Sequence, residues 1–205
     1  MDKRQPGKSA AERRRQAMME AAYALFIEKG YAAVTVDDII QRSGGSKSSL
    51  YKFFGNKEGV LSAVIEDLAH EMLDEVRIIA SSDKTIREEL LNIGFTIGRL
   101  ALSANAINQY RLAIANAAPY PDLSRLWFEK GPGTTFAGLA EYLKNETAEG
   151  RLKIDNPERA AQFFLGMIIC KDNILMSIGD PGPSDAELRE IVNDAVDLFL
   201  AAYGV

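Results

Sequence analysis

The chain has 205 residues, 47% of them hydrophobic, enough for one sizeable core or for a small head on a larger body. It has no run of about 18 apolar residues and starts polar and basic, which argues against a membrane span or a secretory signal and for a cytoplasmic protein. A single Cys170 and a single His70 rule out an intrachain disulfide and a metal site of several His/Cys ligands, and the net charge of −5 hides a basic residues 1–57 ahead of an acidic residues 58–205.

Helical periodicity runs nearly throughout. Residues 1–8 read as a mobile arm. Ser9 and Glu12 have capping-box spacing ahead of Met18, Ala22, Leu25 and Phe26, which predicts a helix over 10–29 stopped by Gly30. Thr35 and Asp38 repeat that spacing before a short helix over 36–43. Gly44-Gly45 breaks it, Ser46 caps a second short helix over 47–53, and Gly55-Asn56 ends that one. A long helix over 57–80 follows, with Val60, Leu61, Val64, Leu68 and Met72 on its apolar stripe. Helices are then expected over 84–103, 106–117 and 122–149, the last kinked or split at Gly131-Pro132-Gly133. Asn156-Pro157 opens a helix to 178, and Ser184 with Glu187 caps a final one to 203.

The segment Thr35 to Phe54 carries the chemistry. Two short helices flank a glycine turn. Ile39, Ile40, Leu50, Phe53 and Phe54 are placed to pack on Leu25 and Phe26, which leaves Lys47, Ser48, Tyr51 and Lys52 outward. A helix meant for the major groove needs such side chains: donors and acceptors for base edges, and charge for phosphates.

These residues resemble the tetracycline-repressor-like (TetR-like) family of transcriptional regulators. The matching parts are Phe26 with Gly30-Tyr31, Thr35 to Ile39, Ser46 to Tyr51, and Phe54 with Asn56-Lys57-Glu58, within residues 12–62. The resemblance implies an all-α fold of about nine helices. Residues 1–57 would be a helix-turn-helix DNA-binding domain, and 58–205 a ligand-sensing and dimerisation domain. It also implies phosphate contacts from Thr35, Tyr51 and Lys57, and a groove-facing surface from Ser46, Lys47, Ser48, Ser49 and Lys52. Family members usually carry an apolar residue where Gly45 stands, so a looser turn is expected. Lys52 and Phe53 replace a common aromatic or histidine pair, so no base preference transfers.

Pro119 to Leu123 and Trp127 to Pro132 look like one subtype of the family's sensing domains, without naming a ligand. Phe95, Tyr110, Arg111, Trp127, Phe136, Phe163 and Met167 are candidates for an apolar effector pocket. The helix after Pro157 is apolar nearly all round and must be covered on more than one side. With the stripe of the last helix it suggests a four-helix interface between two copies, using Phe164, Ile168, Leu188, Ile191, Val192, Ala195, Leu198 and Phe199. Cys170 reads as an inert buried thiol, His70 as a surface or satisfied residue, and no cofactor is expected.

An enzyme is disfavoured, since no nucleophile–base pair or phosphate loop stands out. The expected function is a repressor, released from a palindromic operator by a small molecule. An activator, or a DNA-binding protein without ligand control, is the alternative.

Overall fold

A computed structural model describes the backbone of residues 9–77 and 84–205 and the side chains of 9–67 and 84–205. His70, Leu68, Met72 and the arm over 1–8 lie outside the described side chains. The described residues form ten helices: α1 (Ala10–Lys29), α2 (Val36–Ser43), α3 (Lys47–Phe54), α4 (Lys57–Arg77), α5 (Ile86–Ala101), α6 (Ala104–Asn116), α7 (Pro121–Lys130), α8 (Pro132–Ala148), α9 (Pro157–Ser177) and α10 (Asp185–Tyr203). The 122–149 segment is split at Gly131-Pro132, one of the two outcomes expected there, which takes the count from about nine to ten. The one extended pairing among the described residues is an antiparallel bridge from Leu152 to Gly204.

Local chemistry sets the boundaries. Ser9, Thr35, Thr85 and Ser184 each accept the N–H of a Glu or Asp three residues on, whose carboxylate accepts the cap's own N–H in return. Gly44 stops α2 at φ 69°, a left-handed conformation in which a side chain would be strained.

The chain divides into two compact units. One comprises the residues up to Asp67 together with Leu112–Trp127; the other comprises the later residues up to Arg111 together with Phe128–Val205. The division thus departs from a single cut at 57/58. In the first unit, Met18, Leu25, Phe26, Tyr31, Ile39, Leu50, Val60 and Leu61 form the core. Leu112, Tyr120, Leu123 and Trp127, from the α6–α7 corner, pack against it. The Tyr120 ring meets Tyr31 edge-on at 5.0 Å.

In the second unit, α5, α8, α9 and α10 enclose one core. A Cβ on Gly94 would stand 2.9 Å from Val192 and 3.0 Å from Ile168; one on Gly98 would stand 3.0 Å from Leu188. These two glycines let α9 and α10 lie close on α5, and the richest apolar side chains turn inward.

That closeness corrects the expected dimer residues. Phe164, Ile168, Leu188, Val192, Ala195 and Phe199 are at most 3% exposed within a single chain, and Phe164 and Phe199 stack edge-to-face at 5.2 Å. They belong to the protomer's own core. Of the eight residues, Leu198 is exposed and Ile191 half-buried. On α9 it is the opposite face that lies open: Phe163, Met167 and Ile174 are exposed, as is Ile178 just beyond its end. Cys170 lies on this face and is exposed, not buried: it is one turn from both Met167 and Ile174 on the side of α9 that the core leaves free.

Candidate nucleic-acid interface

The capping box of α2 fixes Thr35. Its hydroxyl accepts the Asp38 N–H at 3.1 Å and donates to the Asp38 carboxylate at 2.6 Å. This holds the Asp38 carboxyl below its ordinary pKa, chiefly through the Thr35 hydroxyl and backbone N–H. Ser46 caps α3, its hydroxyl accepting the Ser49 N–H at 3.2 Å. Leu50, fully buried, pins α3 to the core. Ser46, Lys47, Ser48, Tyr51 and Lys52 are exposed, and Ser49 is half-buried. The structure therefore brings the expected reading residues onto the open side of one helix.

Two expected contacts are already engaged. The Lys47 ammonium lies 2.8 Å from the Asp37 carboxylate, which raises its pKa through that hydrogen bond. Lys57 donates to the carbonyls of Tyr31 at 3.0 Å and Val34 at 2.9 Å, with its ammonium 4.3 Å from the Tyr31 ring centroid. Burial lowers the Lys57 pKa and pushes the Tyr31 phenol up to about 12, so the ring under the cation stays neutral. Lys57 thus clasps the loop leading into α2 with two of its three N–H groups.

The turn is not looser for lacking a side chain at Gly45. A Cβ there would stand 2.3 Å from Met18 Cε, so Met18, 1% exposed on α1, occupies that space. Sequence reasoning missed this, and it missed Arg13 and Arg14. Both line a groove of about 600 Å³ between α1 and the turn, together with Met18, Gly45 and Ser46. The run Arg13-Arg14-Arg15 was the available signal.

The expected effector residues have the following settings within their own units. Trp127 packs on the core of the first unit. Phe95 lies under the Arg189 guanidinium at 3.8 Å. Arg111 donates to the Ser177 carbonyl at 2.9 Å and the Met176 carbonyl at 2.5 Å, so it caps the C-terminus of α9. Phe136 packs against the core of the second unit, and Tyr110 is half-buried on α6. Phe163 and Met167 are on the open face of α9.

Residues 18–64 match the tetR family of bacterial regulatory proteins, and residues 88–205, more than half of the chain, match the C-terminal domain of AefR-like transcriptional repressors. The chain belongs to the TetR family. TetR-family regulators are DNA-binding repressors with ligand-binding C-terminal domains, and this chain is a DNA-binding transcription factor, not an enzyme. It is 30% identical over 112 residues to the HTH-type transcriptional regulator YdeS of Bacillus subtilis, covering 46% of this chain and 57% of that protein. It is 27% identical over 121 residues to an HTH-type transcriptional repressor of Mycobacterium tuberculosis, covering 59% of this chain and 64% of that protein. The chain thus spans less than two thirds of either relative. A TetR-family regulator from Mesorhizobium loti superposes with a TM-score of 0.86 at 27% identity, over 97% of this chain and 100% of that one. The flavonoid-responsive regulator FrrA shares the fold, with a TM-score of 0.80 at 24% identity over 94% of this chain and 97% of that one. Among the described residues no single helix is long and apolar enough to cross a membrane.

Proposed function

We propose that this TetR-family regulator acts in the cytoplasm as a homodimeric repressor, bound to a palindromic operator and released by a small molecule. The observation that carries the reading is the outer face of α3, where Ser46, Lys47, Ser48, Tyr51 and Lys52 are exposed on a helix anchored by buried Leu50. Ser48 and Lys52 would select bases; Tyr51, Thr35 and the remaining Lys57 N–H would touch phosphate.

One reading helix per chain calls for two chains. The exposed Phe163, Met167, Ile174 and Leu198 supply an apolar surface for a two-fold partner, since isologous interfaces need a self-complementary patch. Two heads then read half-sites roughly 34–36 Å apart or somewhat more. The effector would bind the second unit and favour a head spacing that DNA does not fit. A preference of about 1–3 kcal/mol weakens operator binding about 5–150-fold, and operator DNA must weaken effector binding by the same factor.

The test is selection of bound sequences from random DNA, followed by a compound screen for release. Selected DNA with an inverted repeat, released by a compound that binds more weakly to the operator complex, is the expected result. Selected DNA without an inverted repeat, or equal effector affinity with and without operator, refutes the reading.

A further inference from the structure

The cations of the first unit are unevenly committed. Lys29 pairs with Asp38 at 3.5 Å, Arg42 with Glu28 at 2.6 Å and Lys47 with Asp37 at 2.8 Å. Lys57 is bonded to two carbonyls, and the Arg15 guanidinium lies over the Phe54 ring at 5.4 Å. Among the described residues of this unit, Arg14, Lys52 and Arg125 carry none of these engagements, and Arg125 lies on α7. Lys52 sits on the outer face of α3. Arg14 sits elsewhere, exposed on the first turns of α1, and lines the groove between that helix and the turn.

Three features of that groove suit a phosphodiester strand. The wall from α1 is cationic, with Arg14 beside Arg13. The floor is the backbone of Gly44-Gly45 together with Met18, whose methyl fills the space a side chain at Gly45 would take. The far wall is Ser46 and Ser49, at the start of α3, where the Ser46 hydroxyl takes the Ser49 N–H and the N–H groups of Lys47 and Ser48 have no intrahelical partner. Ser46 also belongs to the reading face, so a strand engaged by α3 passes the groove.

We infer that the α1–turn groove seats the sugar–phosphate backbone of the operator strand beside the bases that α3 reads, with Arg14 as its principal cation. This rests on the operator-binding reading above. Arg14 replaces phosphate counterions on binding and carries no sequence information, because a phosphate looks the same at every base pair. Each neutralised phosphate contributes about 0.9 to the slope of log affinity against log salt, hence about 1.8 for the two heads of a dimer.

The experiment measures affinity for the selected operator from about 50 to about 200 mM salt, for the wild type, Arg14→Ala and Arg14→Lys. Arg14→Ala is expected to flatten the slope by about 1.8, so that its affinity falls about twelvefold less across that range. Its selected consensus stays that of the wild type, and Arg14→Lys keeps the wild-type slope because the charge remains. An unchanged slope in Arg14→Ala, with helicity and dimer retained, overturns the inference. So does a changed consensus, which would make the groove a reader of bases, or a flattened slope in Arg14→Lys as well. If the wild type selects no sequence at all, the operator-binding reading fails first, a result distinct from any of these.

Discussion

Lys57→Met probes the clasp under the helix-turn-helix. The wild-type ammonium donates to two carbonyls, at 3.0 and 2.9 Å, and sits 4.3 Å from the Tyr31 ring centroid. Hydrogen bonds to charged groups contribute about 1.5–3 kcal/mol each, and a cation over an aromatic face about 0.5–2 kcal/mol. The full sum does not apply. Lys57 is half-buried, and the Tyr31 carbonyl keeps the Val34 N–H at 3.3 Å, so the loss falls mainly on the Val34 carbonyl. A destabilisation of about 2–3 kcal/mol results, which for a chain of this size lowers Tm by about 4–12 °C. The measurement is thermal unfolding by circular dichroism without DNA, paired with operator affinity across salt. The clasped loop leads straight into Thr35, the cap of α2, so operator affinity falls by more than the flattened salt slope of one lost phosphate contact per head accounts for. A Tm within about 1 °C of wild type, together with a flattened slope, would show that Lys57 serves phosphate alone and that the clasp contributes nothing.

The Met18–Gly45 contact predicts non-additivity. Gly45→Val drives a side chain into Met18 Cε and is expected to cost about 1–3 kcal/mol by overpacking, whereas Gly45→Val with Met18→Ala recovers more than the two single changes allow; simple additivity of Tm shifts would refute the contact. Phe163→Glu or Leu198→Glu is expected to give a helical monomer in light scattering and to expose Cys170 to thiol reagents that the dimer excludes. Phe199→Glu or Val192→Glu should instead unfold the chain, and a stable helical monomer from either would return those residues to the interface. Glu88 and Glu187 are held below their ordinary 4.5, first by the backbone N–H and then by the hydroxyl of Thr85 and Ser184. Their stabilisation is complete above that ordinary value and lost as pH falls through the lower folded one. Glu88→Gln with Glu187→Gln should therefore flatten the acid limb of a stability–pH curve, and an unchanged limb refutes the assignment.

What the sequence disclosed and what it concealed differ by range. The boxes at Ser9, Thr35 and Ser184 and the cap at Ser46 were legible because cap and partner lie three residues apart. The outer face of α3 was legible because Leu50 and Phe53 fix its inner side. The two faces of α9 were not. Both are apolar, and the choice between them was made by Gly94 and Gly98 on α5, some 70 residues earlier in the chain, which admit Ile168 and exclude Met167 from the core. Arg111 was misread for the same reason: its partners, the Met176 and Ser177 carbonyls, are backbone groups 65 and 66 residues away that no side-chain pattern announces. Met18 in the space above Gly45 is a third case, a contact between α1 and a turn 27 positions later.

The α6–α7 corner bears on how such regulators can be recombined. Leu112, Tyr120, Leu123 and Trp127 complete a core whose other members all precede residue 67. A chimera that moves this head onto another sensor by a single cut in α4 would carry Tyr31 without the ring that meets its edge at 5.0 Å, and would set a foreign corner against Phe26, Val34 and Leu61. The transferable unit is discontinuous. Residues 112–127 must travel with the head, and the sensor must be interrupted to receive them.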